Sequence, residues 1–359
     1  MKKFLTIILC ITIIFTFTTG CGQDPAPEDV PEDTQTEVAE DDTQEAVEPE
    51  TPEEPLEPEV KEYKHTFDPK ALSDYWKEIF GKKKVKAWYR LVDAVMAGKD
   101  TFKCPDQETL DWIVGQFPEK CFPVLVDLIE GVGECENGVA HIYFKTSRKQ
   151  FKKKMKKFIN QVEGILNETM REDYTDLEKA LSLYRYFCAN YEYDYETYYN
   201  MYDEYQAQVR CYRLFEEGIG ICQELATAYS FLLTQVGVDA TIMMGGEHTW
   251  SYVRINGKNY HIDPTFALGY GGNVFLDYFM MNDEQRFTTY PECEGVELTF
   301  ASVYTKEHDC PEYPADDDTF KDLWGCLLED FDHEKHVIRC FVSGEDGELE
   351  PKEFNYEGF

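Results

Sequence analysis

Apolar side chains recur every three or four residues along several stretches of the chain, which is the spacing of one face of an amphipathic helix. This pattern covers residues 66–120, where it includes Trp76 and Trp88, and it returns over residues 147–172 and 175–191. The lysines of the second stretch lie off its apolar face and are interpreted as a solvated surface. The spacing therefore predicts helices in all three stretches.

Shorter apolar runs predict strands elsewhere. Residues 121–146 contain several such runs broken by glycines, and the run at 139–144 alternates apolar and polar positions in part. Residues 273–305 are expected to mix strand and loop. Nearer the C-terminus the pattern predicts a helix near 319–330 and a strand near 336–342.

The central region gives the clearest pattern. A glycine-rich turn precedes a helical repeat that begins at Cys222 and is ended by Gly237. Three strand-like runs follow at residues 238–244, 249–255 and 258–263. This order predicts a helix that packs on an antiparallel sheet.

The last two of these runs flank Asn256 and Gly257, which form the preferred two-residue turn of a β-hairpin. In such a hairpin, Asp263 would face Trp250. His248 lies two residues further along the same strand and on the same face. His248 and Asp263 are therefore predicted to be diagonal neighbours, roughly 7–8 Å apart at the backbone and within side-chain reach.

A cysteine at the start of a helix completes a candidate catalytic group. The helix dipole and the free N–H groups at that end favour a thiolate at Cys222, and a thiolate is the nucleophile that acyl transfer needs. Asp263 would fix the tautomer of His248, and the imidazole would pair with the thiol. His261 is the alternative base, but the hairpin register places it opposite Tyr252, so we interpret it as a packing or surface histidine.

The N-terminus has the features of an export signal. Two lysines precede an apolar run at residues 4–17, which is too short for a comfortable membrane span. The small residues that follow end in Cys21 and resemble a bacterial lipobox. We therefore expect lipidation of Cys21 and a membrane-anchored protein on the extracytoplasmic face. Ordinary secretory cleavage, with Cys21 incidental, is the alternative.

Charge separates the next segment from the rest of the chain. Residues 23–62 carry 17 acidic side chains and one lysine, a net charge of −16, and they are rich in proline. Low hydrophobicity and mutual repulsion predict an extended, unfolded tether. The whole chain has a net charge of −35. Because such a surface repels phosphate backbones, nucleic acid is excluded as an expected partner.

The remaining cysteines and histidines do not indicate a metal site. The chain has twelve cysteines, of which Cys10 and Cys21 fall in the signal region, and none forms a CxxC pair. His333, His336 and Cys340 have a loose ligand-like spacing within a charged segment. We predict neither a bound metal nor a cofactor.

Three strings, YEYDYETYY, GIGICQELATAYSFLLTQVGV and GGEHTWSYVRINGKNYHIDPTF, resemble the transglutaminase-like superfamily over about residues 175–266. Its pattern of a glycine-preceded cysteine, a histidine near an aromatic residue and an Asp-Pro-Thr sequence falls on Cys222, His248 and Asp263. The resemblance implies a papain-like α+β fold, with the catalytic helix on an antiparallel sheet behind a mainly helical N-terminal region. It also implies an oxyanion hole made by the Cys222 backbone N–H and an upstream side chain, for which Tyr212 is the candidate.

Two functions follow as hypotheses. The first is an enzyme in which Cys222 attacks a peptide or glutamine amide of a protein or peptide substrate, and the acyl-enzyme then reacts with water or an amine. The second is a non-catalytic surface module that binds peptide or cell wall in the same cleft. The complete set of Cys222, His248 and Asp263 argues for the enzyme.

These observations together predict five segments. They are a signal peptide at 1–20, a disordered tether at 21–62, a helical or mixed region at 63–172, a catalytic core at 173–305 and a C-terminal extension at 306–359.

Overall fold

The computed structural model describes residues 63–200, 209–293, 299–300, 303–304, 312–344 and 346–359. The predicted signal peptide and tether lie outside these described residues. Among the described residues, no helix is both long enough and apolar enough to cross a membrane.

Helices and strands alternate along the chain, as the mixed sequence pattern predicts. The α-helices are α1 (Asp74–Met96), α2 (Gln107–Cys121), α3 (Leu125–Leu128), α4 (Arg148–Thr169), α5 (Asp176–Asn190), α6 (Tyr195–Asn200), α7 (Cys211–Glu217), α8 (Cys222–Gln235) and α9 (Asp283–Thr289). Short 3₁₀ turns occur at Pro264–Ala267, Leu276–Tyr278, Pro291–Cys293 and Lys321–Leu323.

The strands form three antiparallel sheets and one short parallel pair. They are β1 (Thr101–Lys103), β2 (Ile129–Val132), β3 (Val139–Phe144), β4 (Glu192–Tyr193), β5 (Ile219–Gly220), β6 (Asp239–Gly245), β7 (His248–Ile255), β8 (Lys258–Ile262), β9 (Val274–Phe275), β10 (Thr299–Phe300), β11 (Val303–Tyr304), β12 (Cys326–Asp332), β13 (Val337–Ser343) and β14 (Leu349–Asn355). The sheet orders are β1-β3-β2, β11-β10-β6-β7-β8 and β14-β13-β12-β9, and β4 pairs with β5 in parallel.

The N-terminal region is mainly helical, but the helical pattern of residues 66–120 is not continuous. Gly81 has φ +71° and interrupts α1, a backbone conformation that glycine adopts at little cost. The short strand β1 then separates α1 from α2, because Phe102 pairs with Ala140 on β3. That pairing is non-local, and helical spacing alone could not reveal it.

Helix α8 packs on β6 and β7 and carries Cys222 at its first position. Polar side chains join the two layers within the buried interface. The hydroxyl of Ser230 donates to the carbonyl of Thr241 at 2.7 Å, and Ser251 donates to the carbonyl of Ala226 at 3.1 Å. These bonds fix the position of the helix along the sheet.

The β7–β8 hairpin has the predicted register. Asn256 and Gly257 have φ values of +52° and +75°, and Tyr252 pairs with His261. The face of β7 that points away from α8 is also buried, since Trp250 and Tyr252 on that face are fully buried. Loop residues cover that second face, and the Tyr252 hydroxyl donates to the carbonyl of Tyr313 at 2.5 Å.

The C-terminal region differs from its predicted structure. The helix expected near 319–330 is wrong, because only a 3₁₀ turn forms at Lys321–Leu323 before β12 begins at Cys326. Gly325, with φ +83°, separates the two elements. Pairing of β12 with both β13 and β9 stabilises the strand. The strand predicted near 336–342 corresponds to β13.

One hydrophobic core connects the described regions. Its buried side chains run from Phe67 in the N-terminal region, through α4, α5 and α8, to Tyr356 near the C-terminus. The core therefore continues across residues 172 and 305, the segment limits expected from the sequence.

Candidate active site

Cys222 lies at the start of α8, where the backbone N–H groups of the first turn point out of the helix end. The side chain is 6% exposed and lines a cleft of about 210 Å³. Ile221, the residue before it, has extended φ and ψ of −92° and 175°. The thiol thus stands at the positive end of a helix dipole but remains open to the cleft.

His248 is brought to the same cleft by a tight turn. Gly246 and Glu247 have φ values of +57° and +65° and reverse the chain between β6 and β7, so His248 is the first residue of β7. Its Nε2 lies 2.7 Å from Oδ2 of Asp263. The other ring nitrogen, Nδ1, is left for Cys222, whose thiol lies near the imidazole in the same cleft.

Asp263 follows β8 and is fully buried. Its backbone N–H donates to the carbonyl of Tyr278 at 2.8 Å, and its Oδ1 accepts from the N–H of Thr265 at 3.1 Å. The guanidinium of Arg286, also fully buried, lies 3.8 Å from Oδ2 and stacks 4.0 Å from the centre of the Trp250 ring. The carboxylate is therefore fixed on several sides.

Electrostatics favours a charged His248–Asp263 pair. Burial lowers the pKa of His248, but the Asp263 carboxylate and, to a smaller extent, the nearby Cys222 side chain raise that pKa to about 9. Burial raises the pKa of Asp263, but His248 and then Arg286 outweigh it and hold that pKa below its usual value. The raised pKa favours the imidazolium form of His248 at neutral pH.

The structure does not bring Tyr212, the predicted oxyanion donor, to this cleft. Tyr212 is buried on the other side of α7, where its ring packs edge-on against Phe158 at 5.6 Å. Tyr193 lines the cleft instead, and its hydroxyl lies near the thiol and the backbone N–H of Cys222. Burial and the nearby thiol raise the pKa of Tyr193, so its hydroxyl stays protonated.

Tyr193 reaches Cys222 through non-local pairing. Strand β4 runs parallel to β5, with Tyr193 beside Gly220, and the N–H of Asp194 donates to the carbonyl of Gly220 at 3.0 Å. The tyrosine-rich string that contains Tyr193 is visible in the sequence, but neither periodicity nor spacing shows which of its rings faces the thiol.

Aromatic rings line most of the cleft. The described lining residues are Tyr193, Tyr195, Tyr198, Cys222, Glu247, His248, Thr265, Phe266 and Tyr290. The His248 ring packs 4.8 Å from Phe266 and 5.2 Å from Tyr290, measured between ring centres. Tyr195 is 63% exposed at the rim. The site can therefore hold an extended, partly apolar chain against the thiol.

The other histidines singled out from the sequence have separate partners. His261 is buried, accepts at Nδ1 from the indole of Trp250 at 2.8 Å, and has its Nε2 2.9 Å from Asp283. His333 lies between Glu178 at 2.8 Å and Asp173 at 3.2 Å. Among the described residues, no cluster of three or more His, Cys, Asp or Glu side chains could hold a metal ion.

Comparison with known proteins identifies a family for one part of the chain. Residues 163–277 match the family model described as the transglutaminase-like superfamily, a range that contains Cys222, His248 and Asp263. No curated protein matches the chain. A solved structure described as the crystal structure of a TGase matches with 14% identity and a TM-score of 0.29, over 41% of this chain and 47% of that one. The match thus spans less than half of that protein.

Proposed function

We propose that the transglutaminase-like domain at residues 163–277 is a cysteine-dependent acyl-transfer enzyme that acts on peptide or glutamine amides. The observation that carries the proposal is the convergence on one cleft of Cys222 at a helix N-terminus and His248 bonded to a buried Asp263. A thiol, a base and a group that orients the base are the parts that nucleophilic acyl transfer requires.

In the proposed reaction, Cys222 has given its proton to His248, and the resulting thiolate attacks the amide carbon and forms a carbon–sulfur bond. The backbone N–H of Cys222 and the hydroxyl of Tyr193 receive the developing oxyanion, which enters between these two donors. His248 gives its proton to the leaving amine as the carbon–nitrogen bond breaks. Water or a second amine then attacks the thioester, and His248 accepts the proton of that nucleophile.

The aromatic lining supports a protein or peptide substrate. Tyr193, Tyr195 and Tyr198 offer rigid, amphipathic surface at low cost in side-chain entropy. Hydrolysis and transamidation share the acyl-enzyme and differ only in the second nucleophile. We propose that both reactions begin with the same attack on an amide. The incubation with and without a primary amine decides whether water or an amine accepts the acyl group.

We also propose that Cys21 carries a lipid that anchors the protein to the extracytoplasmic face of the membrane. The sequence from the basic start through the apolar run to Cys21 supports this, and the acidic stretch that follows suits a spacer. Metabolic labelling with a fatty-acid probe should mark the wild type and not Cys21→Ser. Equal labelling of both proteins would exclude the anchor at this residue.

The decisive test is a peptide library incubated with the wild type and with Cys222→Ala, in the presence and absence of a small primary amine. Mass spectrometry should detect cleavage or amide exchange only with the wild type, together with an acyl adduct on Cys222. Cleavage without amine incorporation would identify a hydrolase, and incorporation would identify a transamidase.

The alternative of a non-catalytic binding module predicts a different result. Iodoacetamide at mildly acidic pH should modify Cys222 faster than the other described cysteines if an imidazolium–thiolate pair operates. Slow, uniform labelling of all thiols, combined with peptide binding that survives Cys222→Ala and no product, would favour the binding module.

A further inference from the structure

Behind the catalytic cysteine lies a buried ionic network that the proposed reaction does not use. Arg213 on α7 donates from Nε and one terminal nitrogen to the two carboxylate oxygens of Glu224, at 2.9 and 2.6 Å. Its other terminal nitrogen donates to Oδ2 of Asp194 at 2.6 Å. All three side chains are at least nine-tenths buried. Such groups are costly to bury unless each is paired and hydrogen-bonded.

Each end of this network lies next to one of the two residues proposed to donate to the oxyanion. Glu224 lies in the first turn of α8, two residues after Cys222, and its Oε2 also accepts from the N–H of Ile221 at 3.0 Å. Asp194 directly follows Tyr193, and its carboxylate accepts from both the N–H and the hydroxyl of Thr197, at 2.9 and 2.6 Å.

The space between the two ends is tightly filled. Gly220 lies beside Tyr193 in the β4–β5 pair, and a Cβ on this glycine would come within 3.2 Å of the Glu224 side chain and 3.1 Å of Leu214. The strand that carries Tyr193 and the helix that carries Cys222 are therefore held at a fixed separation.

We propose that Arg213, held between Asp194 and Glu224, is a positioning residue that sets the backbone of Tyr193 against the first turn of α8. Through this link the Tyr193 hydroxyl and the Cys222 N–H meet as paired donors to the oxyanion. The inference rests on the proposed acyl transfer by Cys222 and adds the network that orients its second donor.

Two reactions of the same thiol separate this role from general structural support. Acylation by p-nitrophenyl acetate passes through a tetrahedral oxyanion and needs both donors. Alkylation by iodoacetamide is a displacement at a saturated carbon and forms no oxyanion. A variant that only displaces Tyr193 should therefore slow the acylation of Cys222 and spare its alkylation.

The main variant is Asp194→Asn, which keeps the size of the side chain but removes its charge pair with Arg213. We expect acylation to slow by on the order of tenfold, less than the roughly 10²–10³-fold loss typical of a deleted oxyanion donor, with alkylation changed by about twofold at most. Glu217→Gln is the matched control, since Glu217 is half exposed and lies 3.6 Å from the same Arg213 nitrogen. It should change neither rate.

A double-mutant cycle tests whether the network acts through Tyr193. Tyr193→Phe should slow acylation by itself, and adding Asp194→Asn should then cost little more, because residues that act through one group are not additive. If Asp194→Asn is too unstable by circular dichroism, Thr197→Val removes the hydroxyl that orients Asp194 and should give a smaller loss with the same selectivity.

Other outcomes overturn the inference in distinguishable ways. Equal slowing of acylation and alkylation by Asp194→Asn would make the network merely structural, and fully additive losses would show that it does not act through Tyr193. Normal acylation in Asp194→Asn would also remove the positioning role while leaving the proposed function intact. Alkylation without acylation of wild-type Cys222 would overturn the proposed function and this inference together.

Discussion

At the scale of single residues, the proposed chemistry depends most directly on the contact between His248 and Asp263. Its 2.7 Å contact lies between two side chains that are 7% and 0% exposed, so solvent screens it little. Arg286 behind Asp263 adds a second positive charge that the sequence analysis did not single out. The buried carboxylate thus orients the imidazole and raises the pKa of His248 to about 9.

Substitution of the three candidate catalytic residues should give a characteristic order of losses. Cys222→Ala should abolish product formation with the fold retained, because a small apolar side chain suits this position. His248→Ala should be nearly as damaging, and Asp263→Asn should be milder, although losses on the order of 10⁴-fold are known for the equivalent change in an analogous triad. Steady-state turnover of a cleaved or exchanged peptide measures the order.

His261→Ala is the control for that series. Because His261 pairs with the Trp250 indole, its loss should lower the free energy of unfolding by about 1–3 kcal/mol, the cost of an unsatisfied buried donor, but retain most turnover per folded molecule. Loss of activity in His261→Ala with activity kept in His248→Ala would overturn the site assignment.

The pH dependence follows from the direction of the His248 shift. A pKa raised from 6.5 to about 9 means that folding favours the imidazolium, so this contribution to stability is complete below pH 6.5 and is lost as pH rises through 9. The rate of acylation, which needs the imidazolium as acid, should fall along the same alkaline limb. In Asp263→Asn this limb should move to lower pH. A limb that stays in place would show that Asp263 does not set the His248 pKa.

At the scale of elements, local sequence chemistry predicted some parts of the fold and not others. The Asn256-Gly257 turn and the apolar repeat of α8 are encoded by neighbouring residues, and both occur as predicted. The β4–β5 pair joins residues far apart in the chain, and β12 is stabilised by its neighbour β13 and by the distant β9, so helical periodicity could not reveal these strands. For the same reason the sequence pattern could not reveal that Tyr193, and not Tyr212, lies in the cleft with Cys222.

Hydrophobic periodicity also fails to predict short helices that depend on a capping residue. Helix α9 spans Asp283–Thr289 within a region expected to be strand and loop. Its N-cap Asn282 accepts from the N–H of Gln285 at 2.8 Å, a capping signal that is present in the sequence. Arg286 lies on this helix. Because the helix was not predicted, the position of Arg286 beside Asp263 could not be predicted either.

The hairpin turn offers an element-scale prediction. Gly257→Ala forces an L-residue to adopt φ near +75°, which should lower the free energy of unfolding by about 1–2 kcal/mol. Chemical denaturation measures the change, and the register should survive because both faces of β7 are buried. Gly115→Ala in α2 is the matched control: nothing lies within 4 Å of the added methyl, so it should be neutral or slightly stabilising. Similar losses in both variants would contradict the argument.

At the scale of the whole molecule, a buried carboxylate connects the C-terminal sheet to the transglutaminase-like domain. Glu178 on α5 accepts from its N-cap residue Thr175 at 2.6 Å, from the Tyr356 hydroxyl at 2.7 Å, and lies 2.8 Å from Nδ1 of His333. Helix α5 also contributes Tyr184 and other side chains to the common core. The region after residue 311 is therefore part of the same folded body as the candidate site.

Replacing Glu178 with Gln should therefore destabilise the C-terminal sheet and the transglutaminase-like domain together, in a single unfolding transition. Burial raises the pKa of Glu178, but hydrogen bonds from Tyr356, Thr175 and His333 outweigh burial and hold it below its usual 4.5. Its contribution is therefore present above pH 4.5 and is lost as pH falls through the lower folded value. We expect Glu178→Gln to reduce the free energy of unfolding by about 1–3 kcal/mol at pH 7, since it leaves buried donors poorly satisfied.

Urea unfolding at pH 7 and at pH 3, followed by both circular dichroism and tryptophan fluorescence, checks the prediction. The difference between wild type and Glu178→Gln should shrink at pH 3, because the wild-type carboxylate then loses its advantage. Glu353→Gln, an exposed change on β14, should have little effect at either pH. Two separate transitions, with only one moved by Glu178→Gln, would mean that the C-terminal sheet folds independently of the catalytic unit.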